Sequence, residues 1–327
     1  MMNIVILDGY TANPGDLSWD RLKTFGELTV YERTHASETV ERAKDADIVL
    51  TNKVILGKAE IEQLPRLKYI GVLATGYNVV DTKVAREHGI DVCNIPAYST
   101  NSVAQMVFAH ILNVALQVEH YAQANRQGAW AQSIDFSWQD TQLTELEGKT
   151  LGIVGLGNIG KAVARIGQAF GMKILAETSK TQDALPDYIE KVDRNTLFER
   201  ADFLTLHCPL TESTRNLVCK ESIARMKPTS VVINTGRGPL VNEADMAEAL
   251  LTNKIYAYCA DVLCSEPPAA NNPLLACTNA YITPHIAWAT REARARLVDI
   301  AIKNVQCFVE GRAQNVVNQE IVSSERN

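Results

Sequence analysis

The sequence has 327 residues, enough for two ordinary domains, and its 46% hydrophobic residues can fill packed cores. Its 38 acidic residues outnumber 32 basic ones, and the formal net charge of -6 argues against nucleic acid as the main partner. The N-terminus lacks the basic start of a signal peptide, and polar residues interrupt the most apolar stretch, 103–118, which predicts a buried helix and no membrane partner. Seven cysteines without a CxxC pair predict reduced thiols and a cytoplasmic protein.

Short apolar runs alternate with amphipathic helical stretches, which is typical of doubly wound parallel sheets. The first predicted strands are Ile4–Leu7, Ile48–Leu50, Tyr69–Leu73 and Ile90–Cys93, with helices at Ser37–Lys44 and Thr82–His88. A long helix at about Asn101–Gln127 and an irregular stretch come next. The second series of strands is Leu151–Val154, Lys173–Ala176, Phe203–Leu206, Val231–Asn234, Tyr256–Ala260 and Ala280–Thr283. A last amphipathic helix, about Thr290–Gly311, is expected to pack back on the first domain.

This order of elements predicts an α/β protein with two doubly wound parallel-sheet domains. A Rossmann-type cofactor domain, residues 99–289, is inserted into a flavodoxin-like substrate domain made of residues 1–98 and 290–327. The irregular stretch with Trp130 and Trp138 is interpreted as an arm or interface segment.

A glycine-rich turn is the strongest local signal in the chain. The segment 151–160 reads as an apolar strand followed by Gly155, Gly157 and Gly160, and an amphipathic helix comes after it. Gly155 allows the tight turn, Gly157 lets the backbone approach a pyrophosphate, and Gly160 allows close packing of helix and strand. The context therefore predicts a dinucleotide site at the helix N-terminus.

The next strand should end in an acidic residue that holds the ribose 2′-hydroxyl. The expected position is Thr178, and Glu177 lies one residue early, where its side chain would point to the other face. A neutral Thr178 with Ser179 and Lys180 beside it tolerates a 2′-phosphate. The choice between NAD(H) and NADP(H) stays open on the sequence.

Polar groups follow the strands of the second series, where ligands of such sheets bind. They are His207, Arg237, Asp261 with Glu266 five residues on, and His285. Reduction of a 2-oxo acid needs a proton donor, which His285 supplies, and Glu266 would fix its tautomer. Arg237 can hold the substrate carboxylate, whereas His207 fits a turn that borders the nicotinamide. No His, Cys or carboxylate set has metal spacing, so no metal is expected.

These residues resemble the D-isomer-specific 2-hydroxyacid dehydrogenase family over nearly the whole chain. The resemblance rests on 155–160, His207-Cys-Pro-Leu-Thr211, Ile233-Asn-Thr-Gly-Arg237-Gly, Asp261-Val-Leu-Cys-Ser-Glu266-Pro and Thr283-Pro-His285-Ile. It implies the catalytic residues Arg237, Glu266 and His285, and a nicotinamide carboxamide held by Asp261. The expected cofactor contacts are Gly155, Gly157, Asn158, Ile159, Gly160, Thr178, His207, Cys208, Pro209, Thr214, Thr235, Gly236, Arg237, Asp261, His285 and Ala287. The expected substrate contacts are Ala74, Thr75, Gly76, Lys53, Arg237 and His285; for Lys53 a plain surface position is an equal alternative.

Within the family, residues 7–18 and 285–290 look like those of glycerate dehydrogenases, which are also called hydroxypyruvate reductases. Glyoxylate or another 2-oxo acid is the alternative substrate, and no basic cluster favours phosphoglycerate. Formate oxidation needs no proton transfer, so the Glu266–His285 pair argues against it. A corepressor that senses dinucleotide is the alternative from another class. The family implies a homodimer through an arm at about 99–147, in which Trp138 would reach a neighbour's site.

Overall fold

The chain forms two compact units in the computed structural model, which describes residues 1–319. One unit is Met1–Ser99 together with the C-terminal part that begins at Ala289, and the other is Thr100–Trp288. The sequence places these boundaries at 98/99 and 289/290. The last residues of the predicted substrate domain, 320–327, lie outside the described residues.

The first unit contains a parallel five-stranded sheet with the order β2-β1-β3-β4-β5. This is the flavodoxin-like order. Buried apolar runs form its central strands, as in other parallel sheets that are covered on both faces. The strands are β1 Met2–Ile6, β2 Gly26–Val30, β3 Ile48–Thr51, β4 Tyr69–Val72 and β5 Asp91–Cys93, and the helices are α1 Thr39–Ala43, α2 Lys58–Ile61 and α3 Thr82–Glu87.

The second unit contains a parallel seven-stranded sheet with the order β12-β11-β10-β9-β6-β7-β8. Six of its strands follow the dinucleotide-binding order, and β12 adds a seventh at one edge. The helices are α4 Thr100–Leu116, α5 Val118–Arg126, α6 Asn158–Ala169, α7 Arg194–Arg200, α8 Lys220–Ile223 and α9 Glu243–Leu251. The strands are β6 Thr150–Val154, β7 Lys173–Glu177, β8 Ile189–Lys191, β9 Phe203–Leu206, β10 Val231–Asn234, β11 Ala257–Ala260 and β12 Ala280–Ile282. The predicted class, two parallel-sheet α/β domains, is confirmed.

The last helix, α10 at Arg291–Val309, belongs to the first unit. The Thr290 hydroxyl caps it by accepting from the Ala293 N–H. Its apolar face meets β4, where the Phe308 and Tyr69 rings lie 4.8 Å apart. Arg294 also holds the loop between β1 and β2, because it makes two contacts of 2.7 Å with the Asp16 carboxylate.

The predicted single helix at Asn101–Gln127 is wrong. Two helices, α4 and α5, meet at Gln117, whose backbone has the left-handed values φ 47 and ψ 41. No glycine or proline marks the break in the sequence, so the apolar pattern runs through it. The short strands β2 and β8 were also missed. Both lie at sheet edges and expose polar side chains, so neither shows a continuous apolar run.

Within residues 1–319, no helix is both long and apolar enough to span a membrane.

Candidate active site

The carboxyl ends of the seven-stranded sheet lie level with one another. Val154 of β6 pairs with Leu206 of β9, which pairs with Asn234 of β10. Asn234 pairs in turn with Ala260 of β11, and Ala260 with Ile282 of β12. Because the strands are parallel, every segment that follows them starts at the same edge, and the predicted polar groups therefore emerge side by side.

The glycine turn has the geometry that a pyrophosphate needs. Gly155 has φ 92, and a Cβ there would lie 2.6 Å from the backbone nitrogen of Cys208. A Cβ on Gly160 would lie 2.2 Å from the Gly155 carbonyl oxygen, so helix and turn tolerate only glycine. A Cβ on Gly157 would meet nothing within 4 Å. This open space beside the N-terminus of α6, which starts with Asn158 and Ile159, fits a dinucleotide phosphate.

The end of β7 carries more positive than negative charge. Glu177 is the last strand residue, and its carboxylate is paired with Arg194 at 3.2 Å. Thr178 follows, and its Oγ1 accepts from the Lys180 N–H at 3.3 Å. The Lys180 ammonium reaches back to the Leu156 carbonyl oxygen at 3.3 Å. The adjacent Lys161 ammonium lowers the pKa of Lys180, so two cations lie together at the predicted ribose end.

The loop after β9 is held by its own side chains. The imidazole Nε2 of His207 lies 2.9 Å from Thr205 Oγ1, and burial lowers the pKa of His207 to about 3. His207 is therefore a neutral group at the carboxyl edge of the sheet. This fits a side chain that borders a nicotinamide ring. The Thr214 hydroxyl donates to the Pro209 carbonyl oxygen at 2.8 Å and so closes the turn that contains Cys208.

Arg237 is presented by a turn that Asn234 stabilises from both sides. The Asn234 side chain donates to the Arg237 carbonyl oxygen at 2.9 Å and accepts from the Gly236 N–H at 3.1 Å. The guanidinium uses one N–H on the Gly236 carbonyl, which leaves donors for an anion. In the same turn, the buried Thr235 hydroxyl has no hydrogen-bond partner within residues 1–319. An unpaired buried hydroxyl at this edge fits a contact with bound cofactor.

His285 and Glu266 are joined directly. The imidazole Nδ1 lies 2.6 Å from Glu266 Oε2, while Glu266 Oε1 accepts from the Leu263 N–H at 3.1 Å. The carboxylate is therefore fixed from one side and orients the ring from the other. Since Nδ1 faces Glu266, Nε2 is the ring nitrogen that can meet a substrate.

Asp261 is almost fully buried, with 1% of its surface exposed. Its Oδ1 accepts from the Thr283 hydroxyl at 2.6 Å and from the Ile286 N–H at 2.9 Å, and its Oδ2 accepts from the Ala287 N–H at 2.8 Å. An ionised carboxylate has about four acceptor positions. Three of those of Asp261 are therefore used by Thr283, Ile286 and Ala287.

The predicted substrate residues of the first unit follow two neighbouring strands of its own sheet. Lys53 comes after β3, and its backbone N–H donates to the Asp8 carboxylate at 2.6 Å while its side chain is exposed. The segment 74–76 comes after β4. The Thr75 hydroxyl donates to the Ile95 carbonyl oxygen at 2.8 Å, and the Ile95 N–H donates to the Ala74 carbonyl at 3.0 Å. Gly76 thus directly follows two residues that are hydrogen-bonded to Ile95.

Several residues that build this site were not found from the sequence. Asn234 could have been noticed, since asparagine two residues before a glycine often forms a side-chain turn. Thr283, Ser102 and His110 contact the segment that carries His285, but they are far apart in sequence and no local pattern marks them. Among the described residues, no three His, Cys, Asp or Glu side chains are grouped as a metal site.

The features at this edge of the sheet define a nicotinamide-dependent dehydrogenase. They are a glycine turn, a dinucleotide-binding strand order, a hydrogen-bonded histidine–carboxylate pair and an arginine with free donors. Residues 108–287 match the family model described as D-isomer specific 2-hydroxyacid dehydrogenase, NAD binding domain. The chain is 45% identical over 322 residues to a hydroxypyruvate reductase of Blautia hydrogenotrophica, covering 97% of this chain and 100% of the relative. It is 40% identical over 294 residues to a glycerate dehydrogenase of Methylorubrum extorquens, covering 89% and 92%.

A solved structure, the TT0316 protein from Thermus thermophilus, superposes with a TM-score of 0.85 at 31% identity, over 96% of this chain and 99% of that one. The chain belongs to the D-isomer specific 2-hydroxyacid dehydrogenases. It is an oxidoreductase that acts on the CH–OH group of a 2-hydroxy acid with a nicotinamide dinucleotide, as the sequence predicted.

Proposed function

We propose that this enzyme interconverts hydroxypyruvate and D-glycerate. The observation that carries the proposal is the 2.6 Å contact between His285 Nδ1 and Glu266 Oε2, at the sheet edge where Arg237 also emerges. Relatives at 45% and 40% identity that are named hydroxypyruvate reductase and glycerate dehydrogenase support this acid over others.

His285 is the proposed acid and base. In reduction, Nε2 gives its proton to the C2 carbonyl oxygen as that oxygen becomes a hydroxyl, and in oxidation Nε2 takes the proton back. Glu266 accepts from Nδ1–H and stabilises the positive charge of the protonated ring. The nicotinamide, when bound, supplies or accepts the hydride at C2.

Arg237 is the proposed anion clamp. Its planar guanidinium can hold the substrate carboxylate with two parallel hydrogen bonds, which aligns C2 for the reaction. The resemblance to the family assigns further substrate contacts to Ala74, Thr75, Gly76 and Lys53. It also assigns substrate binding to residues 1–98 and 290–327, and cofactor binding to 99–289.

The test is a substrate panel with purified enzyme. We expect nicotinamide oxidation with hydroxypyruvate, and a lower kcat/KM with glyoxylate and with phosphohydroxypyruvate. A higher kcat/KM for glyoxylate than for hydroxypyruvate would make glyoxylate the substrate. The proposed hydride and proton transfers would stay the same. No turnover with any small 2-oxo acid would contradict the proposal and favour a dinucleotide-sensing role.

We further propose that the enzyme prefers NADP(H). The Lys161 ammonium lies near that of Lys180 and lowers its pKa, the Lys180 backbone N–H donates to Thr178, and the Glu177 carboxylate is paired with Arg194. Two adjacent cations repel each other, and the dianion of a 2′-phosphate relieves this repulsion. An NAD ribose would instead need an acidic partner.

Lys180→Ala tests this preference. Loss of a charged hydrogen bond to phosphate should lower kcat/KM for NADPH by about tenfold and leave that for NADH nearly unchanged. Thr178→Asp should shift the ratio further toward NADH. Lys173→Ala is the control, since Lys173 lies at the opposite end of β7. A wild-type preference for NADH, or an unchanged ratio in Lys180→Ala, would refute the assignment.

A homodimer is the proposed assembly. Ile134 and Phe136 are almost completely exposed, at 102% and 92%, and Trp130 is half exposed. Apolar side chains grouped in this way on a surface usually mark an interaction site. The family resemblance assigns this arm, residues 99–147, to the contact with a second copy, with Trp138 near the neighbour's site.

The seven free cysteines support a cytoplasmic location.

A further inference from the structure

His285 lies in a backbone conformation that its own side chain does not favour. Its φ is 54°, in the left-handed region, and its N–H donates to the Thr283 carbonyl oxygen at 3.0 Å. A residue other than glycine is strained there and keeps that conformation only where the surrounding structure imposes it. The constraint on this turn, residues 283–287, must therefore come from its neighbours.

The first constraint on the turn is the buried carboxylate of Asp261. Its carboxylate accepts from the N–H groups of Ile286 and Ala287, the two residues after His285. The Thr283 hydroxyl, two residues before His285, donates to the same carboxylate at 2.6 Å. Both sides of the histidine are thus tied to one buried group.

The second constraint is helix α4. The Ser102 hydroxyl donates to the Ala287 carbonyl oxygen at 2.5 Å, and His110 Nε2 lies 3.5 Å from Thr283 Oγ1. Ser102 and His110 are both 5% exposed and eight residues apart, so they lie on one face of the helix. This face contacts the turn at its first and last residues.

The direction of the hydrogen bonds defines the state of His110. The Thr283 hydroxyl donates to Asp261 at 2.6 Å, and with that assignment Thr283 Oγ1 accepts from His110 in the tautomer that carries its proton on Nε2. Burial lowers the pKa of His110, which keeps the ring neutral while it donates. His110 therefore orients Thr283 as a neutral hydrogen-bond donor.

We propose that Ser102 and His110 of α4, acting with Asp261 and Thr283, are positioning residues that hold the His285 turn in its catalytic conformation. The inference rests on the proposed role of His285 as the proton donor. Through these two residues, helix α4 affects the rate of the chemical step, although neither Ser102 nor His110 contacts the substrate.

Activity provides the first readout. Ser102→Ala and His110→Leu should lower kcat by about 10- to 100-fold, because small misplacement of a reacting group costs that much. Neither KM for the 2-oxo acid nor the Kd of NADPH should change appreciably. The conservative variants Ser102→Thr and His110→Gln, which keep a donor, should restore kcat. Should Ser102→Ala not fold, the His110 pair carries the same test.

Ser230→Ala is the matched control. Ser230 is fully buried, and its hydroxyl donates to the Ala201 carbonyl oxygen at 2.9 Å. It lies just before β10, at the amino ends of the strands and so away from the candidate site. Its loss should destabilise the protein as Ser102→Ala does and leave kcat at the wild-type value. Equal kcat values in Ser102→Ala, His110→Leu and Ser230→Ala would overturn the proposal.

Amide hydrogen exchange gives a readout that does not need turnover. A peptide covering 283–288 should exchange faster in Ser102→Ala and His110→Leu than in wild type or Ser230→Ala, because the Asp261 hydrogen bonds to it loosen. Unchanged exchange would overturn the proposal, as would faster exchange with normal kcat. If wild type reduces no 2-oxo acid, the proposed function fails, and exchange alone decides whether α4 holds the turn.

Discussion

At the scale of single residues, the site is built by groups that fix one another. Glu266 accepts from the Leu263 N–H and from His285 Nδ1, and Asn234 supports the turn that carries Arg237. The His285 ring and the Arg237 backbone are therefore held before substrate binds, which is a form of preorganisation that lowers barriers in charged transition states.

The most informative single substitution is His285→Ala. If His285 is the proton donor, its loss should lower kcat by about 10²–10⁴-fold, the usual contribution of acid–base catalysis. Steady-state kinetics with hydroxypyruvate measures this. The control is His35→Ala, which removes an exposed histidine of the first unit. Wild-type kcat in His285→Ala would exclude the assigned role.

At the scale of elements, the apolar runs predicted the central strands well because parallel strands are buried on both faces. β9 and β10 have the predicted bounds, and β11 differs by one residue. The edge strands β2 and β8 were missed because burial does not select for apolar residues there. The polar residues after the strands were found for a related reason, since the sheet rule places ligands at carboxyl ends.

The long-range supports of the site could not be predicted. Ser102 and His110 look like ordinary residues of an apolar helix, and only the packing of α4 brings them to Thr283 and Ala287. The break between α4 and α5 was missed for a similar reason. Gln117 adopts a left-handed conformation without any local residue that favours it.

Gln117→Gly tests the cost of that conformation. The left-handed region costs a non-glycine residue about 1–2 kcal/mol. Glycine avoids this cost but loses about 0.5–1 kcal/mol of chain entropy, so we expect a net gain in unfolding free energy of up to about 1.5 kcal/mol. Urea unfolding measures it. Gln123→Gly, inside α5, is the control and should lower stability. A lower unfolding free energy in Gln117→Gly than in wild type would contradict the statement that Gln117 is strained.

At the scale of the whole molecule, the exposed apolar residues of the arm predict self-association. Light scattering of the wild-type protein should give twice the 36.0 kDa of one chain. A double substitution, Ile134→Asp with Phe136→Asp, should give a monomer, because charge in a buried interface is strongly unfavourable. Ile55→Asp changes an exposed isoleucine of the first unit and should leave the dimer intact. A monomeric wild type would refute the dimer and the role of Trp138.

Stereospecific reduction of hydroxypyruvate through His285 fixes both the configuration of the product and its dependence on this histidine. The most direct measurement is chiral analysis of the product formed from hydroxypyruvate and NADPH by wild type, with His285→Ala beside it. We expect D-glycerate as the single enantiomer from wild type and almost no product from His285→Ala. L-glycerate, a racemic product or no product from wild type would contradict it.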